Sequence, residues 1–345
     1  MPALPDLVVA ALAPAALGAG AAAGWAVRVA PAAPRPGGPR LPLAFEPWLF
    51  AQPAHQALQG AGPVLGFYLE NTAQGTTEAI FYALLDAAAG AARSPGQAPF
   101  GGVQAAPGLP AAAWHLFLAT IETTLARHGL RHLRLRPPAL CYHPGPAAAQ
   151  AEALRQRGYR VALAEQNYAL DLARPYAPHL HPSERRRLAK GYRHGLRFEQ
   201  EPPLLLPLAH AFIAACRAER GQAPPLPLAR LQALFQAFPR EHFLFSVRQP
   251  DGQWAALTVA IRVDARVLYN FYPASPLRCN GLSPAVMLTE GLHHFGRANG
   301  FAVLDLGTST LPDGPNASLL RFKRHLGASA GLRLTWEREI PKSPD

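Results

Sequence analysis

One order of elements occurs twice along this chain, and that repeat limits the fold more than any single motif does. In the first half, residues 64–70 and 78–85 are short β-type runs on either side of a turn-forming segment at 71–77, a pattern that predicts an antiparallel hairpin. A Pro/Gly-rich loop at 94–102 follows, and a helix opens at Pro110 and runs to His128, where Gly129 ends it. Residues 130–136 supply a strand, 147–157 a second helix that stops at Gly158, and 159–172 a last strand. The second half places more in front: an Arg-rich amphipathic helix at 181–194, a short strand at 196–201, and helices at 204–219 and 226–238. Strands at 243–248, 254–263 and 266–272 follow, linked by tight turns at Asp251-Gly252 and Asp264-Ala265. A helix starts at Ser283-Pro284, with Ser as the cap and Pro at the first position, and runs to Gly300. A strand at 301–306, a helix at 316–325 and a closing strand at 328–337 complete the chain. In each half a β-meander feeds a helix, a strand, a helix and a last strand. The expected fold class is α/β (α+β, mixed sheet), built from two pseudo-repeated halves.

A length of 345 residues suits two such halves, and 49% hydrophobic against 16% charged residues supplies cores and excludes global disorder. Residues 7–30 carry almost no charge before Arg28 and would cross a membrane on length alone. Their Ala and Gly content, Pro14 within, and Asp6 where a signal peptide is basic argue against an anchor or a signal. We therefore expect an Ala/Pro-rich flexible leader at 1–42, a first half at 43–173 and a second at 174–340, with no stable membrane insertion.

Cys141, Cys216 and Cys279 are odd in number and outside any CxxC spacing, which fits reduced thiols in a cytoplasmic protein, free or membrane-associated. His179 and His181, and the adjacent His293 and His294, have no Cys, Asp or Glu at a ligand spacing, so no metal site is expected. Thirty-three basic residues less twenty-two acidic ones give +11, which points to an anionic partner. Lys190, Lys323 and Lys342 are the chain's lysines and every other basic residue is Arg, so part of that charge is compositional bias.

The chemistry-bearing stretches lie near the C-terminus: Leu268-Tyr269-Asn270-Phe271-Tyr272, Leu282-Ser283-Pro284, Leu304-Asp305-Leu306-Gly307, Leu320-Arg321-Phe322-Lys323 and Leu326-Gly327. Arg278, Gly281 and Ser283 precede a helix N-terminus, whose unpaired N–H groups and positive dipole end suit an anion. An ordinary capped helix is the alternative. Asp305 ends a buried strand, where α/β sheets face a ligand crevice, and would either serve an acceptor or satisfy loop amides. Tyr269 and Phe271 share one strand face, Asn270 and Tyr272 the other, and either face reads as core or as cleft.

In order and spacing these stretches resemble the GNAT acyltransferase fold, and the duplication resembles tandem-GNAT transferases of the FemABX type and related acetyltransferase-like proteins, over residues 64–338. That resemblance implies an acyl-CoA pyrophosphate at Arg278, Gly281 and Ser283, although the last position has Ser where the family signature has Gly or Ala. It implies a cleft at Tyr269, Asn270 and Tyr272, and a Phe322-Lys323 pair whose Lys stabilises negative charge on the attacked carbonyl. It places Arg217, Glu219 and Arg220 at the acceptor pocket, where solvated helix-end charges are the simpler reading. The 94–102 loop falls where the halves of such proteins meet, or is a plain long loop. Arg185, Arg186, Arg187, Lys190, Arg193 and Arg197 would contact tRNA or an anionic lipid, or form a solvated helix face.

The resulting expectation is an N-acyltransferase moving acetyl from acetyl-CoA, as cosubstrate, to a small-molecule or cell-envelope amine by direct attack. Catalysis would fall to Lys323, Tyr269 and Asp305. The alternatives are tRNA-dependent aminoacyl transfer to a cell-wall precursor and a noncatalytic GNAT-like binding module.

Overall fold

Strand-type alternation begins well before residue 43. Trp25, Val27 and Val29 are buried on β2 (Trp25–Ala33), which follows β1 (Leu7–Ala11) and pairs antiparallel with β3 (Val64–Asn71), Val27 opposite Leu69. The expected flexible leader at 1–42 is thereby corrected. Burial of three large apolar side chains on one face, with strand pairing to β3 from Trp25 to Ala30, outweighs the Ala, Gly and Pro content that suggested loose chain. The computed structural model describes residues 7–11, 24–33, 36–60, 62–311 and 314–341, so 1–6, 12–23, 34 and 35 of that segment lie outside the described residues. Among the described residues no helix is long and apolar enough to cross a membrane.

The chain divides into two units, Met1–Ala164 with Leu332–Asp345, and Glu165–Gly331. The boundary thus falls at 164 instead of the expected 173, and the C-terminal strand belongs to the first unit. In that unit a short helix α1 (Pro53–Gln56) precedes β3, whose hairpin with β4 (Thr76–Asp86) is where the sequence put it. Next come β5 (Ala91–Ser94), β6 (Gln104–Ala105), α2 (Ala111–Arg127), β7 (His132–Leu135), α3 (Pro144–Gln156) and the start of β8 (Arg160–Asp171). β5 and β7 are parallel and joined through α2, which buries Trp114, Phe117, Leu118, Ile121 and Leu125, one helical stripe, on the sheet.

The second unit starts with residues 165–171 of β8 and continues through α4 (Tyr176–His179), α5 (Pro182–Arg193), β9 (Arg197–Glu201), α6 (Leu206–Ala218) and α7 (Leu228–Ala237). The meander β10 (His242–Arg248), β11 (Trp254–Arg262) and β12 (Val267–Asn270) leads to α8 (Pro284–Ala298) and β13 (Val303–Thr308). A small hairpin, β14 (Thr310–Leu311) with β15 (Gly314–Pro315), precedes α9 (Ala317–His325) and β16 (Ser329–Glu339). From residue 332 onward β16 lies in the first unit, antiparallel to β7, Trp336 opposite Leu135.

The second unit's sheet runs β8-β13-β12-β11-β10-β9, antiparallel except for β12 and β13, which α8 connects. Val286 and Leu292 of α8 share a core with Leu170, Leu268, Leu304 and Phe245, so that face of the sheet is apolar and covered. Gly291 is required for this approach, since a Cβ there would lie 2.1 Å from the Phe198 ring. Strand alternation leaves Asn167, Ala169, Asp305 and Tyr269 on the opposite face.

Candidate active site

β12 and β13 pair through Val267↔Val303, Leu268↔Leu304 and Tyr269↔Asp305, and then they part. Phe271 and Tyr272 both donate their N–H to the Val259 carbonyl, at 3.0 and 3.2 Å, which keeps this chain on β11. β13 instead continues along β8 to Thr308↔Asn167 through a bulge at Gly307, whose φ of +72° suits glycine. A parallel pair whose members follow different neighbours opens a wedge at its carboxyl end, where open α/β sheets hold ligands. The crossover geometry brings the N-terminus of α8 to that same end.

The three residues expected to be catalytic meet around Gly307. Asp305, 3% exposed, accepts at Oδ1 from the Gly307 N–H and from Asn167 Nδ2, both at 2.7 Å. Lys323, 6% exposed, reaches in from α9 and donates from Nζ to the Gly307 and Thr308 carbonyls, both at 2.9 Å. The half-buried Tyr269 ring flanks Gly307, 3.5 Å from where a Cβ would stand. Of the two readings open for Asp305, the one that satisfies loop amides is realised at Oδ1. Burial excludes a solvated surface position for Lys323. Asn167 was missed, although a lone Asn inside an otherwise strand-forming run is itself a signal, because Asn is depleted in strands.

The loop before α8 is built from the expected residues in an unexpected way. Arg278 is exposed on a short 3₁₀ turn, Leu277–Cys279, which Glu219 anchors by accepting the Leu277 N–H at 2.8 Å. Gly281 is exposed, a Cβ there would meet nothing within 4 Å, and its carbonyl accepts from Lys190 Nζ at 2.9 Å. Ser283 does not cap the helix with its side chain, which is a correction. It lies in the left-handed region (φ 47°, ψ 54°) and its hydroxyl donates to the Asn280 carbonyl at 3.2 Å. The left-handed backbone turns Oγ back along the loop. The first turn of α8 thus has no side-chain cap, and its N–H groups suit a diphosphate.

Of the remaining expected residues, Tyr272, Arg217 and Arg220 make contacts around the α6–α7 turn. Asn270 is buried and accepts from Thr258 Oγ1 at 2.6 Å on the α8-covered face, so its placement in the cleft is corrected. The Tyr272 hydroxyl accepts the Leu226 N–H at 3.1 Å, Arg217 stands 5.7 Å from the Tyr272 ring centre, and burial pushes that phenol above its ordinary range. Arg217 Nε donates to the Ala223 carbonyl and Arg220 Nη1 to that of Cys216, at 2.9 Å. Phe322 packs half-buried against the second unit's core. In the basic cluster, Arg185 donates to the Pro178 and Leu180 carbonyls, Arg187 to Glu184 and Lys190 to Gly281, so these three are tied into local structure. The 94–102 loop is packed, with Phe100 buried. Among the described residues no group of three His, Cys, Asp or Glu could hold a metal ion.

No family model matches this chain, and no curated protein sequence does. Solved structures do. The chain is similar to FemX, with a TM-score of 0.63 at 10% identity over 80% of this chain and 88% of that one. It is also similar to a tandem GNAT protein from the clavulanic acid biosynthesis pathway (TM-score 0.51, 14% identity, 85% and 89% covered). A third likeness is to L-PGS from Bacillus licheniformis (TM-score 0.54, 12% identity, 84% and 87% covered). The chain has the tandem-GNAT fold, with two pseudo-repeated halves.

Proposed function

On this tandem-GNAT fold we propose that the second unit transfers an acyl group to an amine, with acetyl-CoA as donor. The observation that carries the reading is the parting of β12 and β13 beyond Tyr269↔Asp305, at the end of the sheet where α8 begins and where Lys323 and Asp305 converge. The uncapped first turn of α8, the open side of Gly281 and the exposed Arg278 fit a diphosphate. The donor supplies an activated carbonyl and a thiolate leaving group. The wedge holds that carbonyl, the amine nitrogen attacks its carbon, the C–N bond forms and the C–S bond breaks.

Lys323 acts from a fixed place. Its ammonium is immobilised on two carbonyls, so its positive field at the wedge requires no reorganisation as the carbonyl oxygen gains charge. Tyr269 is placed to give a proton to the departing thiolate, and Asp305 to orient the amine and take its proton. Direct attack needs no covalent enzyme intermediate.

Titration calorimetry with acetyl-CoA tests the reading. Saturable binding in the micromolar range is expected; no heat at high micromolar donor overturns it and favours a noncatalytic module.

A second reading, aminoacyl transfer from tRNA to a cell-wall precursor, draws on the left-handed Ser283 where the GNAT signature has Gly or Ala and on the exposed Arg186, Arg193 and Arg197. Retention of tRNA together with indifference to acetyl-CoA would select it.

A further inference from the structure

Asn167 is 1% exposed, and it uses only half of its amide. Its Nδ2 donates to Asp305, while its Oδ1 is buried without a partner. Buried side-chain acceptors are nearly always satisfied, so an orphan of this kind calls for a ligand or a cost. Other orphans in the same unit are His242 Nε2 and His293 Nδ1, on rings packed against Phe235, Phe238 and Tyr176, and the Ser309 hydroxyl just beyond Gly307. Asn167 Oδ1 differs because the other half of its amide is bonded to a buried carboxylate, Asp305, on the strand that parts from β12.

An amide oxygen only accepts, so its partner is a donor. The oxygen and nitrogen of one amide lie about 2.3 Å apart. A group held at about 2.9 Å from Oδ1 is therefore within about 8 Å of the Asp305 carboxylate, whose charge favours a cationic donor. The cluster members Asn167, Asp305, Gly307 and Lys323 are buried, whereas Tyr269 and Thr308 keep partial exposure, so entry is past one of these two.

We propose that Asn167 Oδ1 is the docking atom for the primary amine of the acyl acceptor, with Asp305 matching its charge. The assignment of that amine as acyl acceptor rests on the N-acyl transfer reading above. The amine arrives as R–NH3+ and yields one proton to Asp305 and on to solvent. An N–H bond to Oδ1 then holds the nitrogen so that its lone pair meets the thioester carbonyl. The C–N bond forms, the C–S bond breaks, Tyr269 protonates the thiolate, and a second proton from nitrogen replaces the one Tyr269 gave. The products are the amide, the free thiol and one released proton.

The test uses the full chain. Titrating n-butylamine into 15N-labelled protein should shift the Asn167 side-chain NH2 pair, assigned by its loss in Asn167→Leu, with saturation in the millimolar range. The isosteric n-butanol should produce less than a third of that shift. In steady-state thiol release, Asn167→Leu should lower kcat/KM for n-butylamine at least tenfold, with a raised KM and acetyl-CoA affinity unchanged. No butylamine shift of any side-chain NH2 pair in the wild type, or equal shifts with butanol, overturns the proposal even if Asn167→Leu fails to fold. An unchanged KM in a folded Asn167→Leu also overturns it. Butylamine binding without acetyl-CoA binding would keep the amine site and sink the transfer reading; acetyl-CoA binding without an amine shift would do the reverse.

Discussion

Each unit contains a parallel strand pair reached through a helical crossover, and the two pairs end differently. In the first unit β5 and β7 pair as far as Ser94↔Leu135, and the backbone then seals the end: Arg136 donates to the Ser94 carbonyl and Gly101 to that of Arg136, both at 2.8 Å. Gly102 donates to Ser94 Oγ at 2.9 Å, and Phe100 fills the space, edge-on to Phe50 at 4.8 Å, Tyr142 at 5.4 Å and Trp48 at 6.0 Å. In the second unit the strands part, and polar side chains converge instead of an aromatic plug. Two buried carboxylates of the first unit are matched within it, Glu70 by Arg28 and Glu122 by Arg157 and Arg338. The same half-fold is a scaffold where its own loop occupies the strand end, and a candidate site where that end is left to polar groups.

The sharpest way to break the comparison is to remove the plug. Phe100→Ala should cost the protein about 3–5 kcal/mol, the usual range for emptying a buried aromatic site. Acetyl-CoA affinity in the still-folded fraction should not move. Urea titration and calorimetry on one preparation measure both, and a large loss of affinity at wild-type stability would make the first unit part of the site.

A second effect belongs to the other unit. Burial holds the His242 imidazole down to about 4, against which a hydrogen bond to the Phe238 carbonyl works only weakly. The folded state refuses a proton that the unfolded chain takes up near pH 6.5, so this contribution is fully present above about 6.5 and is lost as pH falls toward 4. The loss should reach about 3 kcal/mol by pH 4. Urea titrations at pH 7 and pH 4.5 should show a smaller acid penalty in His242→Phe than in the wild type; equal penalties would remove His242 from the acid response.

Lys323→Met keeps the aliphatic stem and removes the charge from two carbonyls. Turnover should fall at least tenfold, about 1.4 kcal/mol on the barrier, with a stability loss of about 1–3 kcal/mol for the unpaired carbonyls. Wild-type turnover in this variant would make Lys323 a structural cation and bring the two strand ends closer in kind.

Much of the second unit could be read from sequence because its signals are local: tight turns set the meander, and Pro284 marks the start of α8. Tyr269, Asp305 and Lys323 were accessible because strand ends and a rare lysine stand out against this composition. Asn167 was not, since its partner is 138 residues away in sequence and only the β8–β13 register brings them together. Asn270 shows the limit of alternation, which separates two faces without saying which one α8 covers. β2 was hidden by its neighbours, because Trp25, Val27 and Val29 alternate correctly inside an Ala- and Gly-rich stretch that reads as a leader.

Ser283 offers the smallest effect and the finest test. It is the non-glycine residue with positive φ among the described residues, and it sits where the GNAT signature has Gly or Ala. Ser283→Gly removes the left-handed penalty at the cost of Gly chain entropy and one exposed hydroxyl bond to the Asn280 carbonyl, a net gain of at most about 1 kcal/mol. If the α8 N-terminus takes a diphosphate through backbone N–H groups, the conformation needed is already present and acetyl-CoA affinity should hold or rise up to about threefold. If the Ser283 hydroxyl itself contacts the donor, the same substitution should weaken binding while still raising the melting temperature. Opposite movement of affinity and stability would therefore assign the anion contact to the side chain, and parallel movement to the backbone that opens the second strand pair to a ligand.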